Sequence, residues 1–264
     1  MAVGLNNQFL QITTHFLKTA KGIKDLGMKL PSGILKIVEY RTGGIAEGQK
    51  AFLRVLNKSK DGMSAYDVIS GVMHLINHQH KTPRHKFVDV LNLINPAKDV
   101  LNYAIAEGLV AIRNPGKALL TAQDKKDLQG KYAAVTTPQY FISAETKEKV
   151  ELVGHVALLA ASLSRIYDAG REIHERIKKD ATWTDAFKRI GNNDLIVSKA
   201  LAGTKDVCYV LLSAVGITSI VNKKAKIEPI VFTALSLTGT AFAIMSHYSL
   251  EYNKAAVEAA KKGK

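Results

Sequence analysis

Between Pro229 and Leu250 the chain runs for 22 residues without an Asp, Glu, Lys or Arg, and only His247 can titrate. As an α-helix this stretch is about 33 Å long, enough to cross the hydrocarbon core of a bilayer. It restricts the fold to two solutions: a helix that faces lipid, or one buried at the centre of a helical bundle. A second apolar run, Val207–Val221, precedes it, and the basic link Asn222–Glu228 joins the two. With 15 residues between Asp206 and Asn222, this run falls short of a usual span. It crosses only if the bilayer thins or if Lys205 and Asp206 sit at the interface. We read it as the later part of a longer helix that starts near Asp194.

Small residues four apart recur in both runs: Ala214 and Thr218, Ser236 and Thr240, Gly239 and Ala243. Such pairs let helix backbones approach closely, in a membrane hairpin or in a tight soluble core. Val207, Leu211, Val215, Phe232, Leu235, Gly239 and Phe242 are the expected membrane-hairpin residues. Lysines stand on both sides of the pair and in its link, so the positive-inside rule does not orient it.

Elsewhere apolar residues return every three or four positions, and no alternating β-branched run is bounded by hairpin turns. The expected class is all-α, a multi-helix bundle with a C-terminal hydrophobic helical hairpin. Leu5, Phe9, Ile12, Phe16, Thr19, Ile23, Leu26 and Leu30 form a heptad-like seam on a helix predicted to end at Pro31. Gly43-Gly44 is expected to break or kink the next helix. Lys58–Gly62 reads as a loop, followed by a Ser64 cap. Pro83 and Asn95-Pro96 divide the following segment into short helices, and Asn114-Pro115-Gly116 closes the helix carrying Ile112.

Residues 1–120 therefore form an amphipathic helical region and 121–142 a polar connecting segment. Residues 143–264 carry a long helix, the hydrophobic hairpin and a basic tail. Ser143 opens the long helix, predicted to reach about Lys179. Leu152, Val156, Leu159, Leu163, Ile166, Gly170, Ile173 and Ile177 form a second heptad seam that calls for a helical partner, within the chain or from another copy. The uncharged stretch Leu152–Ser164 is 13 residues long, too short to span, and reads as buried or interfacial. The charges that follow, Arg165, Asp168, Arg171, Glu172, Glu175 and Arg176, read as a solvated face.

The net charge of +14 favours anionic partners: a membrane surface, nucleic acid or acidic protein. Lysine predominates, which suits diffuse surface attraction better than base-specific reading. A mean hydropathy of −0.01 leaves room for one or two spans attached to a soluble helical part and argues against a polytopic transporter. The single cysteine, Cys208, excludes an intramolecular disulfide and a cysteine-built zinc site, and is expected to be a buried thiol. Met1–Leu5 shows no charged segment leading into an apolar core, so membrane entry is expected through the late hairpin.

Chemistry is sparse. His74 and His78 stand four apart, as two imidazoles on one helix face would in a metal site, yet no Glu follows His74 and no acid lies at a familiar ligand spacing. Lys81, Arg84 and Lys86 form the expected basic patch beside them. Gly116-Lys117 and Gly130-Lys131 lack the remaining glycines of a phosphate loop, and no serine sits among nucleophile-elbow glycines. No catalytic set is selected and no cofactor is expected.

The order of amphipathic helices before the hydrophobic pair Val207–Leu250 resembles the bilobed inclusion-membrane proteins of chlamydiae. It is also similar to peroxisomal membrane-elongation peroxins. The likeness is one of hydropathy over that stretch and helix order, and implies no residue role. The reading is a non-enzymatic, membrane-associated helical protein acting through surface or protein contacts. The alternative is a cytoplasmic, self-associating soluble bundle that binds protein or nucleic acid, with His78–Lys86 as its patch.

Overall fold

The computed structural model describes residues 2–77, 83–107, 109–113, 140–178 and 194–262. The described residues are overwhelmingly helical, so the all-α class holds. In chain order the elements are α1 (Ala2–Leu17), α2 (Ala20–Gly22), a π-helical segment (Ile23–Lys29), α3 (Leu30–Thr42), α4 (Glu47–Asn77), α5 (Pro83–Ala106), β1 (Val110–Arg113), β2 (Tyr140–Ser143), α6 (Ala144–Ile177), α7 (Asp194–Val221) and α8 (Pro229–Lys262).

The chain divides into two compact units that interleave along the sequence. One comprises Met1–Asn57, Ala161–Val215 and Ile227–Lys264, the other Lys58–Ala160 and Gly216–Lys226.

In the first unit, the predicted helix over Leu5–Leu30 is broken at Thr19, and Pro31 does not end it. Thr19 is extended (φ −90°, ψ 146°), and its hydroxyl accepts from the Gly22 amide at 2.9 Å, a serviceable cap. The chain re-enters helix and widens to π geometry, with the Leu30 amide donating to the Asp25 carbonyl. Pro31 then falls in the first turn of α3, where its missing N–H costs least. Gly43, at φ 71°, ends α3 in the left-handed region that favours glycine, so the glycine pair breaks the helix.

α3 packs along α8, where Gly33 lies so close to Leu237 that a Cβ would collide with it. α1 meets the far part of α8: Phe16 stacks on His247 with ring centroids 4.2 Å apart, and the hydroxyls of Thr13 and Tyr248 lie 2.6 Å apart. α7 and α8 pair as the expected hairpin. Ser198 donates to the Ser246 carbonyl and Ser246 to the Ser198 carbonyl, each at 2.8 Å. Further along, Gly239 leaves space for Tyr209 and Cys208, and the Cys208 thiol is buried as expected.

In the second unit, α4 runs unbroken through Lys58–Gly62, where a loop was expected. Lysine and serine are compatible with helix, and Gly62 costs only about 1 kcal/mol. Ser64 is a buried residue of the helix interior rather than a cap. α5 likewise continues through Pro96; it ends at Ala106, so Ile112 lies on β1 rather than on a helix. β1 and β2 form a short parallel pair, Val110 opposite Tyr140 and Arg113 opposite Ser143. The apolar spacing did not reveal this pair. Ser143 opens α6 as expected, and its hydroxyl caps the helix by accepting from the Thr146 amide at 2.9 Å. At Gly216, near the end of α7, a Cβ would collide with the His155 ring of α6.

Candidate membrane-facing surface

Among the described residues, three helices are long and apolar enough to cross a membrane: Ala144–Ile177, Ile196–Val221 and Pro229–Tyr252. The short run Val207–Val221 is thus part of a full-length apolar helix, in keeping with a helix start near Asp194. α6 is the addition. Leu152–Ser164 alone is too short, but within a continuous helix its flanking residues extend the span, because long charged side chains can reach the interface.

Each of these helices buries a set of small residues and exposes several large ones, although Ala214 and Thr218 of the expected small pairs are themselves exposed. On α6 the buried residues are Gly154, Ala157, Ala161 and Ser162, whereas Val153, Val156, Leu163 and Tyr167 are exposed. On α7 Cys208, Ser213 and Gly216 are buried, and Val207, Leu211 and Val221 are exposed. On α8 Gly239, Thr240 and Ala243 are buried, with Val231 and Met245 exposed. Ser162 and Ser213 are 0% exposed while Leu163 and Leu211 are 51% and 49% exposed, the reverse of the usual soluble order. Close helix approach through Gly, Ala and Ser, with hydroxyls bonding internally, is the packing used where lipid surrounds the bundle. The Ser213 hydroxyl donates to the Tyr209 carbonyl at 2.7 Å, so its polarity is satisfied within its own helix.

Of the expected hairpin residues, Val207 and Leu211 lie on the outward face. Val215, Phe232, Leu235 and Phe242 are half-buried, and Gly239 is buried between the helices. In the α6 seam Val156 and Leu163 are exposed, and Leu152, Leu159, Ile166, Ile173 and Ile177 are half-buried.

At one end of the apolar part of α7 lies a polar group that the sequence reading did not assemble. The Asp206 side chain is 3% exposed; Arg165 of α6 donates to it through Nε at 2.8 Å and to the Ser162 hydroxyl through Nη2 at 3.0 Å. Lys205 approaches the same carboxylate at 3.4 Å and lies 5.9 Å from the centre of the Tyr209 ring. Asp25, also buried, pairs with Lys29 at 2.9 Å on the π-helical segment. Arg165 thus departs from the solvated face expected of its charge run. The available signal was positional: Arg165 follows one uncharged run and Asp206 precedes another.

The polar ends elsewhere are ordinary. Tyr40 donates to Glu228 at 2.6 Å, and this hydrogen bond pushes the phenol above its usual pKa. Lys223 lies 3.2 Å from Glu148, and Lys58 lies 2.9 Å from Glu107. Among the described residues, no group of three His, Cys, Asp or Glu is placed to hold a metal. His74 is exposed, with Nδ1 3.8 Å from Asp89; His78 and Lys81 lie outside the described residues, and Arg84 and Lys86 are exposed at the start of α5.

No family model, curated protein or solved structure matches the chain.

Proposed function

We propose that this chain is a helical membrane protein without enzymatic chemistry, held in the bilayer by the α7–α8 hairpin with α6 beside it, and acting through surface or protein contacts. The observation that supports it is the inverted radial order of these helices. Val153, Leu163, Leu211 and Met245 are exposed, while Gly154, Ala161, Ser162, Ser213, Gly239 and Thr240 are buried. In water so many exposed apolar side chains would be a liability, whereas in lipid they are solvated. The charge of +14 adds attraction to an anionic membrane surface.

Alkaline carbonate extraction of membranes containing the full untagged chain tests this directly. The protein is expected in the pellet with integral membrane markers, and its release into the supernatant would defeat the reading.

One observation favours a second reading, a soluble bundle closed by self-association. Val153, Val156, Leu163 and Tyr167 lie along one exposed side of α6, and a second copy could cover them. That version requires the full chain to remain soluble and monodisperse without detergent.

A further inference from the structure

We propose that the exposed side of α4 in the second unit pairs with the same side of α4 in a second copy of this chain, the two helices running antiparallel. The inference goes beyond the membrane reading and does not depend on it, since α4 is not among the three apolar spans. Its starting point is spacing. Ser59, Gly62, Tyr66, Ile69, Met73 and Ile76 step by 3,4,3,4,3 along this helix, and all six are exposed. A period of about 3.5 residues keeps one seam turned towards a helical partner over its whole length. That partner is not α5, which packs on the other side of α4, where a Cβ on Gly71 would collide with Leu93. In a single copy Ile69 and Ile76 are left 65% and 71% exposed.

Size, charge and area all point to a second copy as the occupant. Ser59 and Gly62 are small, and a Cβ on Gly62 would meet nothing within 4 Å. Antiparallel pairing sets Ser59 opposite Ile76, Gly62 opposite Met73 and Tyr66 opposite Ile69, so the small residues of one copy receive large ones of the other. A parallel pair would set Gly62 against itself and leave a gap. Among the exposed residues of α4 from Ser59 to Asn77 only His74 can ionise, and its Nδ1 lies 3.8 Å from Asp89 of α5. Two copies therefore meet with no like charges opposed. At their exposures Tyr66, Ile69, Val72, Met73 and Ile76 offer roughly 550 Å² on each copy, so a pair buries up to about 1,100 Å², above the about 1,000 Å² that a specific interface needs.

The test uses the full chain on a Cys208→Ser background. Gly62→Cys and Met73→Cys chains, co-expressed and oxidised in the cell extract, should form a disulfide-linked dimer. Neither chain expressed alone should do so, because position 62 of one copy then lies about 16 Å from position 62 of the other. Linkage of the Gly62→Cys chain alone, or none in the mixture, overturns the proposal. Sedimentation in neutral detergent gives the second readout. I69E/I76E should raise the dimer Kd about a hundredfold with unchanged circular dichroism. Phe87→Gln, which alters an exposed apolar residue of α5 outside the seam, should leave the Kd as it is. Equal weakening in both variants would reduce the association to general stickiness and defeat the pairing. A native chain that stays monomeric and floats with anionic vesicles, unless I69E/I76E is present, would give this face to lipid and defeat it too. Carbonate extraction separates the two claims: a monomer that pellets loses only this interface, while a dimer released to the supernatant loses only the membrane reading.

Discussion

Asp206 holds two cations at the point where α7 becomes wholly apolar, and its side chain is nearly inaccessible. Such a group is defined by what its removal leaves behind. Asp206→Ala strands Arg165 and Lys205 beside each other, and we expect a loss of about 3 kcal/mol, at the low end for a buried pair because Arg165 keeps partial solvent access. R165Q/D206N should lose less than D206A, as thermal unfolding in detergent will show. Tyr40 makes a different kind of contact, exposed and outside the apolar segments. Its phenol donates to Glu228, and its folded pKa lies above the unfolded one. The contact is therefore fully present below the ordinary tyrosine value near 10 and is lost as pH rises through the raised value. Ultraviolet titration should show one fewer late-ionising tyrosine in Glu228→Gln than in the native chain.

At the scale of elements, close helix approach depends on missing side chains. Gly239 faces Tyr209, and a Cβ there would stand 3.1 Å from the Tyr209 ring. Gly239→Leu should force α7 and α8 apart at a cost of about 2 kcal/mol, while Gly43→Leu should be costly for another reason, its left-handed φ of 71°. Comparing the two variants by thermal unfolding, with circular dichroism of helix content, separates packing from backbone strain. The hairpin was legible in the sequence because 22 uncharged residues admit few folds, and Ser143 was legible as the start of α6 because such signals are local. The breaks in the helices were less so. Lys58–Gly62 and Asn95-Pro96 look like punctuation, yet α4 and α5 run through them, since one weak helix former costs little in a helix of this length. Thr19 carried the opposite lesson, since a seam of regular spacing concealed a cap. The Arg165–Asp206 pair joins residues 41 positions apart, and no local pattern reports a partner at that distance.

For the molecule as a whole, the membrane reading fixes which segments share a side. If α7 and α8 both cross, residues 222–228 face one compartment, and the start of α7 and the end of α8 face the other. On a Cys208→Ser background, Lys224→Cys and Ala255→Cys should react with a membrane-impermeant maleimide from opposite sides of sealed vesicles. Labelling of both from one side would show that the pair does not cross as a hairpin. The π-helical segment Ile23–Lys29 bears on the same assembly through rotation. One residue more or less in a helix turns everything beyond it by about 100°. The wide turn thus sets the phase of α3, and with it whether Gly33 meets Leu237 on α8. Gly27, with open space where its Cβ would be, is a position whose deletion could tighten the segment to ordinary α geometry. The helix would survive that deletion locally, but α3 would offer α8 a different face: the seven residues Ile23–Lys29 act as an angular setting for the whole N-terminal part of the bundle.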